Sequence, residues 1–349
     1  MKRLLYILAI SVLSSAVFGQ GSDPHLSMQN YQSLNLNPAL TGNMETKFRW
    51  QNSYREQYAV ISRPYRTYSS ALDFNLPINA WGGNIWGFGL NAIQDDQGDA
   101  NLVNTRINVS LAVGQYLDPR EEHSLSVGFQ GGLGQRAIKY DNVYWNSQWV
   151  GSGFALYKNP NEPLIEATKQ YLDMSTGIQY QFNGSGNADF GTGISMYHFN
   201  RPDNSLYLDT NNVQLDRRIN WHTNAEFRIR DGSMFATRPS FVFTKQGKVN
   251  LFMVGNEFVF FFSEPTRTTG EKKEYSMSLG LHHRWLTDMI GSIMFNLGGL
   301  QIGASYDVTL GNINKLNGYQ GAYEVFIGYR GGYRKGSRNR YSPFRKGKH

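Results

Sequence analysis

The chain contains no cysteine. That excludes disulfide staples, thiolate metal sites and a cysteine nucleophile, and it suits a protein of the cell envelope. Long apolar runs are also scarce. Beyond the first twenty positions no stretch of 18 apolar residues occurs, and mean hydropathy is −0.47. A membrane protein built of helices is thereby excluded. No repeat of fixed 20–50-residue period stands out. No Gly-x-Ser-x-Gly elbow with a following acid and histidine is present, so we read no enzyme.

Metal and cofactor signals are absent too. His282 and His283 are adjacent, and neighbours in a strand point to opposite faces, so they cannot share a metal there. Asp95, Asp96 and Asp99 around Gly98 lack the alternating oxygens and closing glutamate of a calcium loop, and they read instead as a hairpin turn. No cofactor is expected.

What the chain does contain is alternation. From Gln301 to Leu310, Ile302, Ala304, Tyr306, Val308 and Leu310 fall on one face, and Gln301, Gly303, Ser305, Asp307 and Thr309 on the other. Tyr323, Val325, Ile327 and Tyr329 repeat the pattern against Glu324, Phe326, Gly328 and Arg330. A period of two is what a strand gives when its two faces meet different solvents. Similar segments begin near Phe48, Thr67, Trp86, Arg106 and Leu125, and they resume around 171–182, 188–199, 216–230, 235–245, 248–262 and 273–285. In the segment starting at Arg218, seven polar or charged residues share one face, which in a membrane requires a watery or plugged interior. Phe258, Phe260, Phe261 and Phe262 form a run expected to face lipid.

Aromatics make up 14% of the chain, and there are 37 glycines. The strands number about fourteen, an even count as single-chain bacterial barrels require. The fold class read from these features is all-β: a closed antiparallel transmembrane β-barrel spanning 45–330, placed in an outer membrane.

Three segments stand outside the alternation. Lys2 and Arg3 followed by the apolar run Leu4–Leu13 read as a secretory signal over 1–19, cleaved near Gly19. Residues 20–44 form a non-strand lead-in rich in turn chemistry and a candidate luminal plug; the alternative is a turn that starts the first strand. Residues 140–168, with Trp145, Trp149, Tyr157, Pro160 and Pro163, form a long excursion, extracellular or folded into the lumen.

The formal net charge of +7 comes from the C-terminal end. Residues 331–349 hold Arg334, Lys335, Arg338, Arg340, Arg345, Lys346 and Lys348 and no acid, so without them the chain is neutral. The basic character therefore belongs to a periplasmic tail and says nothing of nucleic-acid binding. Tyr333, Tyr341 and Phe344 interleave the cations, a composition that fits either a partner contact or a solvated extension. Candidate partner-binding residues are Asn37, Pro38 and Leu40 in the lead-in and Arg334, Lys335, Arg338, Arg340 and Arg345 in the tail.

A series of stretches, taken in order, resembles the PorP/SprF family of outer-membrane proteins from type IX secretion and gliding motility systems. They are Asp23-Pro24-His25-Leu26-Ser27, Leu36 to Gly42, Tyr54-Arg55-Glu56-Gln57-Tyr58 and Pro64 to Tyr68 with Asp73. Further on come Gly87-Phe88-Gly89 with Asp95 to Gly98, His198 to Pro202, and Gly303 to Thr309. The resemblance implies a barrel related in architecture to outer-membrane transporters of hydrophobic compounds. It further implies partnership with large secreted adhesins, whose C-terminal domains are docked, exported or anchored at the cell surface. For some relatives it implies contact with periplasmic ring and peptidoglycan-associated proteins. Family members commonly end near the last strand, and this chain departs from them in its basic tail. The alternative function is a passive channel for small or hydrophobic molecules.

Overall fold

Alternation of this kind can satisfy every backbone group in lipid only if the sheet closes on itself, and it does. The computed structural model describes residues 23–44, 46–61, 63–76, 85–98, 102–138, 144–159, 161, 168–184, 188–206, 214–229, 233–263, 274–311 and 314–333. The leader over 1–19, its cleavage point, Asp99, Pro160, Pro163, Arg230 and the tail candidates Arg334, Lys335, Arg338, Arg340 and Arg345 lie outside the described residues.

The strands are β1 Thr46–Gln57, β2 Tyr65–Leu76, β3 Ile85–Gln97, β4 Leu102–Tyr116, β5 His123–Ile138, β6 Thr168–Asn183 and β7 Ala188–Tyr197. Then follow β8 Arg218–Arg228, β9 Phe235–Gln246, β10 Val249–Ser263, β11 Tyr275–Arg284, β12 Asp288–Leu297, β13 Leu300–Thr309 and β14 Gln320–Tyr333. Each pairs antiparallel with its sequence neighbour, and β1 pairs with β14 from Thr46↔Tyr333 to Gln57↔Ala322. The result is a closed barrel of fourteen strands. The mouth carrying Thr46 and Tyr333 is called here the terminal mouth. The far mouth carries the two longest connections, 139–167 and 198–217.

Burial runs inside out, as lipid demands. In β13, Gln301, Ser305, Asp307 and Thr309 are buried while Ile302, Tyr306 and Val308 are exposed. The same holds in β1, where Arg49, Gln51, Ser53 and Arg55 face inward and Trp50 outward. Tight turns occur where glycine permits them. The β12–β13 hairpin turns on Gly298 and Gly299, both at positive φ (65° and 107°), the backbone that a two-residue hairpin of this kind needs.

The structure corrects three expectations. Phe261 does not face lipid: it is 3% exposed and packs inside with Ala236 and Val259, while Phe262 is 63% exposed on the outer wall. Three of the four phenylalanines obey the period of two, and Phe261 falls on the other face. The segment at 216–230 ends as a strand at Arg228, before Ile229. The last strand runs on to Tyr333, past the expected boundary at 330. Residues 144–159 of the long excursion sit at the far mouth, with a helical turn at Asn146–Gln148 and a short bridge between Trp149 and Phe154.

Candidate functional site

The candidate site is the lumen, and residues 23–44 run through it. This segment has no strand period because its contacts change at each residue. Short helical turns at Gln29–Tyr31, Ser33–Leu36 and Pro38–Leu40 satisfy its backbone locally. Asn37 starts the last of these: its Oδ1 accepts from Ala39 N–H at 2.9 Å, with Pro38 at the first helical position.

At the far-mouth end, Asp23 is 3% exposed and sits among residues from three strands and a loop. Arg106 of β4 lies 2.5 Å away, Arg218 of β8 3.0 Å, and His198, just after β7, 2.8 Å. The other ring nitrogen of His198 meets Asp173 of β6 at 2.8 Å. Burial alone would raise the Asp23 carboxyl, yet Arg106, His198 and Arg218 hold it well below the usual carboxylate range. Burial works against the His198 charge as well, but Asp23 and Asp173 raise its pKa above the ordinary value. His25 goes the other way: burial, Arg284 and Arg218 push it down to about 3.

Four residues on, Ser27 bridges the closing seam of the barrel. Its N–H donates to Glu324 of β14 at 2.6 Å, and its hydroxyl donates to Asp307 of β13 at 2.7 Å. Arg55 of β1 donates to the same hydroxyl and reaches Asp307 at 2.8 Å. Arg284 of β11 spans Asp288 at 2.8 Å and Asp307 at 3.3 Å. Four charged strands therefore converge on one serine.

The middle of the segment is apolar. Met28 and Tyr31 pack with Met294 and Phe326, and the Tyr31 hydroxyl donates to Glu257 at 2.7 Å. Leu36 packs with Val242, Met253 and Ile290, with Leu40 against them. Tyr197, Ser195 and Asn220 donate to the carbonyls of Leu34 and Leu36.

Near the terminal mouth the wall makes room by omitting side chains. A Cβ on Gly128 would overlap the backbone of Pro38 and Ala39, and one on Gly87 would overlap the Thr41 carbonyl. Asp73 receives Gly42 N–H at 2.8 Å and Arg49 on both oxygens, at 3.0 and 2.8 Å. Arg49 also donates to the Leu40 carbonyl. Asn37 donates to the Ile178 carbonyl at 3.0 Å and lies 3.2 Å from His222.

Of the residues expected to bind a partner, Asn37 and Pro38 are buried against β5 and β6, and Leu40 is partly buried in the lumen. Sequence reasoning did not single out Asp23 or Ser27 as anchors. The signal available was the number of arginines at inward positions, Arg55, Arg106, Arg218 and Arg284, which must find buried acids or carbonyls. The other candidates behave as strand residues. Asp95 is buried, its carboxylate accepting from Thr67 at 2.7 Å and Gln97 at 2.9 Å. His282 faces inward and His283 turns the other way. No cluster of metal-ligating side chains occurs among the described residues.

A closed antiparallel barrel with an apolar exterior, lined inside by polar side chains and keeping a stretch of its own chain in the lumen, defines an outer-membrane β-barrel protein. A solved transporter shares the fold. The toluene transporter TbuX of Ralstonia pickettii is 11% identical, aligned over 87% of this chain and 94% of its own, with a TM-score of 0.51. A FadL homologue of Pseudomonas aeruginosa is 8% identical over 84% of this chain and 92% of its own, with a TM-score of 0.44. A comparison with curated proteins found no match. The model of the type IX secretion system membrane protein family PorP/SprF matches residues 19–329, and the chain belongs to that family.

Proposed function

We propose that this type IX barrel docks or anchors a large secreted adhesin, held through that protein's C-terminal domain at the cell surface. The observation that carries the reading is the occupied lumen. A channel needs a continuous wet path, whereas here residues 23–44 bond to strands on every side of the wall, from Asp73 on β2 through Asn220 on β8 to Glu324 on β14. The far mouth, with the longer connections, faces outward on the usual pattern of such barrels, and the terminal mouth faces the periplasm. On this reading the leader is removed near Gly19 and the basic tail meets periplasmic or peptidoglycan-associated components of the system. No catalytic step is assigned.

The test is deletion of residues 20–42 in the native host, with surface display of the secreted partner as readout. The expected result is a folded, heat-modifiable barrel and lost display, with the partner co-purifying from the wild type in mild detergent. An unfolded deletion would make the segment purely structural. Measurable conductance in the wild type without any bound secreted protein would favour a passive channel instead. Truncation after Tyr333 tests the tail: unchanged display and unchanged periplasmic partners would remove it from the proposal.

A further inference from the structure

Near the terminal mouth β14 carries an arginine that forms no ion pair with a carboxylate among the described residues and feels only the field of Glu274. Arg330 stands directly opposite Arg49 across the β1–β14 ladder, and both face inward. Like charges opposed in this way on a sheet face repel. Arg49 has its answer in Asp73, whose two oxygens it grips at 3.0 and 2.8 Å. The remaining acids nearby are engaged by other donors: Glu226 by Arg228 and Arg238, Glu257 by Tyr31, Glu274 by Ser276 and Asn296. Glu324, further in, accepts from Ser27 and Met28. The Nε of Arg330 is buried and has no hydrogen-bond partner.

A second orphan lies beside it. Gln51, two positions along β1 from Arg49, is 1% exposed. Its Oε1 accepts from Ser33 N–H at 3.3 Å, but its Nε2 has no partner. Gln51 pairs with Gly328, and Gly328 pairs on its other side with Gln301, whose Oε1 is orphaned too. Phe326 leans over Gly328 and stacks towards Tyr31, with ring centroids 5.5 Å apart. The Gln51 amide N–H₂, the Gln301 amide oxygen and the Arg330 Nε–H, each without a partner, thus lie around one aromatic side chain. Buried polar groups left in this state each cost stability that a ligand can return.

We propose that Arg330 and Gln51 form a seat for a carboxylate carried on a polypeptide that enters the terminal mouth. This rests on the reading that the barrel receives a secreted protein. A guanidinium with an adjacent amide N–H₂ presents donors to both oxygens of a carboxylate. Gln301 Oε1 offers an acceptor for a peptide N–H beside it, and Phe326 offers apolar contact. The seat faces the lumen, which lipid headgroups on the outer wall do not reach.

The test is calorimetric titration of the full, detergent-solubilised chain with acetylated, amidated pentaglutamate, against pentaglutamine of the same form and inorganic phosphate. Pentaglutamate is expected to bind in a salt-sensitive manner, about tenfold more weakly in Arg330→Gln, and pentaglutamine not to bind. Gln51→Glu supplies the carboxylate from the wall itself. It should abolish pentaglutamate binding and raise the unfolding temperature. Equal binding by wild type and Arg330→Gln would overturn the seat, and so would a Gln51→Glu chain less stable than wild type. Phosphate binding as tight as pentaglutamate would make this a small-anion site and overturn the polypeptide assignment. Display retained by the folded 20–42 deletion counts against the proposed function, whereas wild-type pentaglutamate affinity in Arg330→Gln counts against the seat alone.

Discussion

Asp23 Oδ2 lies 2.8 Å from His198 Nε2, joining the start of the luminal segment to the far end of β7 across 175 positions of sequence. Arg106 and Arg218 close on the same carboxylate. Replacing Asp23 by asparagine leaves two buried arginines without their acid. The expected cost is about 3–5 kcal/mol, the usual range for breaking a buried pair from one side. Thermal unfolding of the purified chain measures it, and protease cleavage within residues 23–30 should rise in parallel.

The same cluster sets a pH dependence. His198 has a folded pKa above its unfolded value of about 6.5, so its contribution is complete below that pH and fades as pH rises through the folded value. His25, at about 3 when folded, acts in the opposite sense, because stability falls as pH drops below about 6.5 and the unfolded ring gains a proton. Asp23, depressed when folded, adds a further loss as pH falls below about 3.9. The luminal segment should be held most firmly near pH 6.5. Hydrogen exchange of residues 23–28 across pH is the measurement, with His198→Gln flattening the alkaline limb and His25→Gln the acid one.

Gly128 is where the wall admits the Asn37–Leu40 turn. Alanine there places a methyl group within the Pro38 and Ala39 backbone, and the expected penalty is about 1–3 kcal/mol, as for other overpacked positions. The barrel should still form, because the outer face of β5 is unaltered. Heat-modifiable mobility on gels reports closure, and proteolysis of the lead-in reports its displacement.

Phe258 is 44% exposed on the lipid face of β10. Arginine at this position should cost about 2–4 kcal/mol if it meets the bilayer midplane. Arginine at Phe252, nearer the strand end, should cost less. Unfolding in lipid vesicles with increasing denaturant gives both values, and equal costs would argue against a membrane centred on these strands.

The barrel was legible because lipid outside and polar groups inside impose opposite chemistry on neighbouring residues, and that contrast survives in a bare sequence. Phe261 shows the limit of the reading: four clustered aromatics suggest one face, although the period of two separates Phe261 from Phe258, Phe260 and Phe262. The path of the lead-in was not legible. Its partners lie far along the chain, as with Ser27 and Asp307, 280 positions apart, and no local pattern encodes such pairs. Asn37 stood out by its turn chemistry alone, whereas Asp23 and Ser27 are short polar residues whose importance comes from the arginines around them. Arg330 and Gln51 were likewise ordinary inward residues until their neighbours could be counted.

Ser27 touches β13, β14 and β1 at once, the strands that flank the joint where the sheet meets its own beginning. Three charged side chains at that joint, Glu324, Asp307 and Arg55, share this one serine, which ties the first strand to the last across the inner wall. The thread is thus a clasp laid over a joint that the backbone ladder already closes. A chain without residues 20–42 would still finish as a closed pipe, but with those three charges unclasped and its centre open.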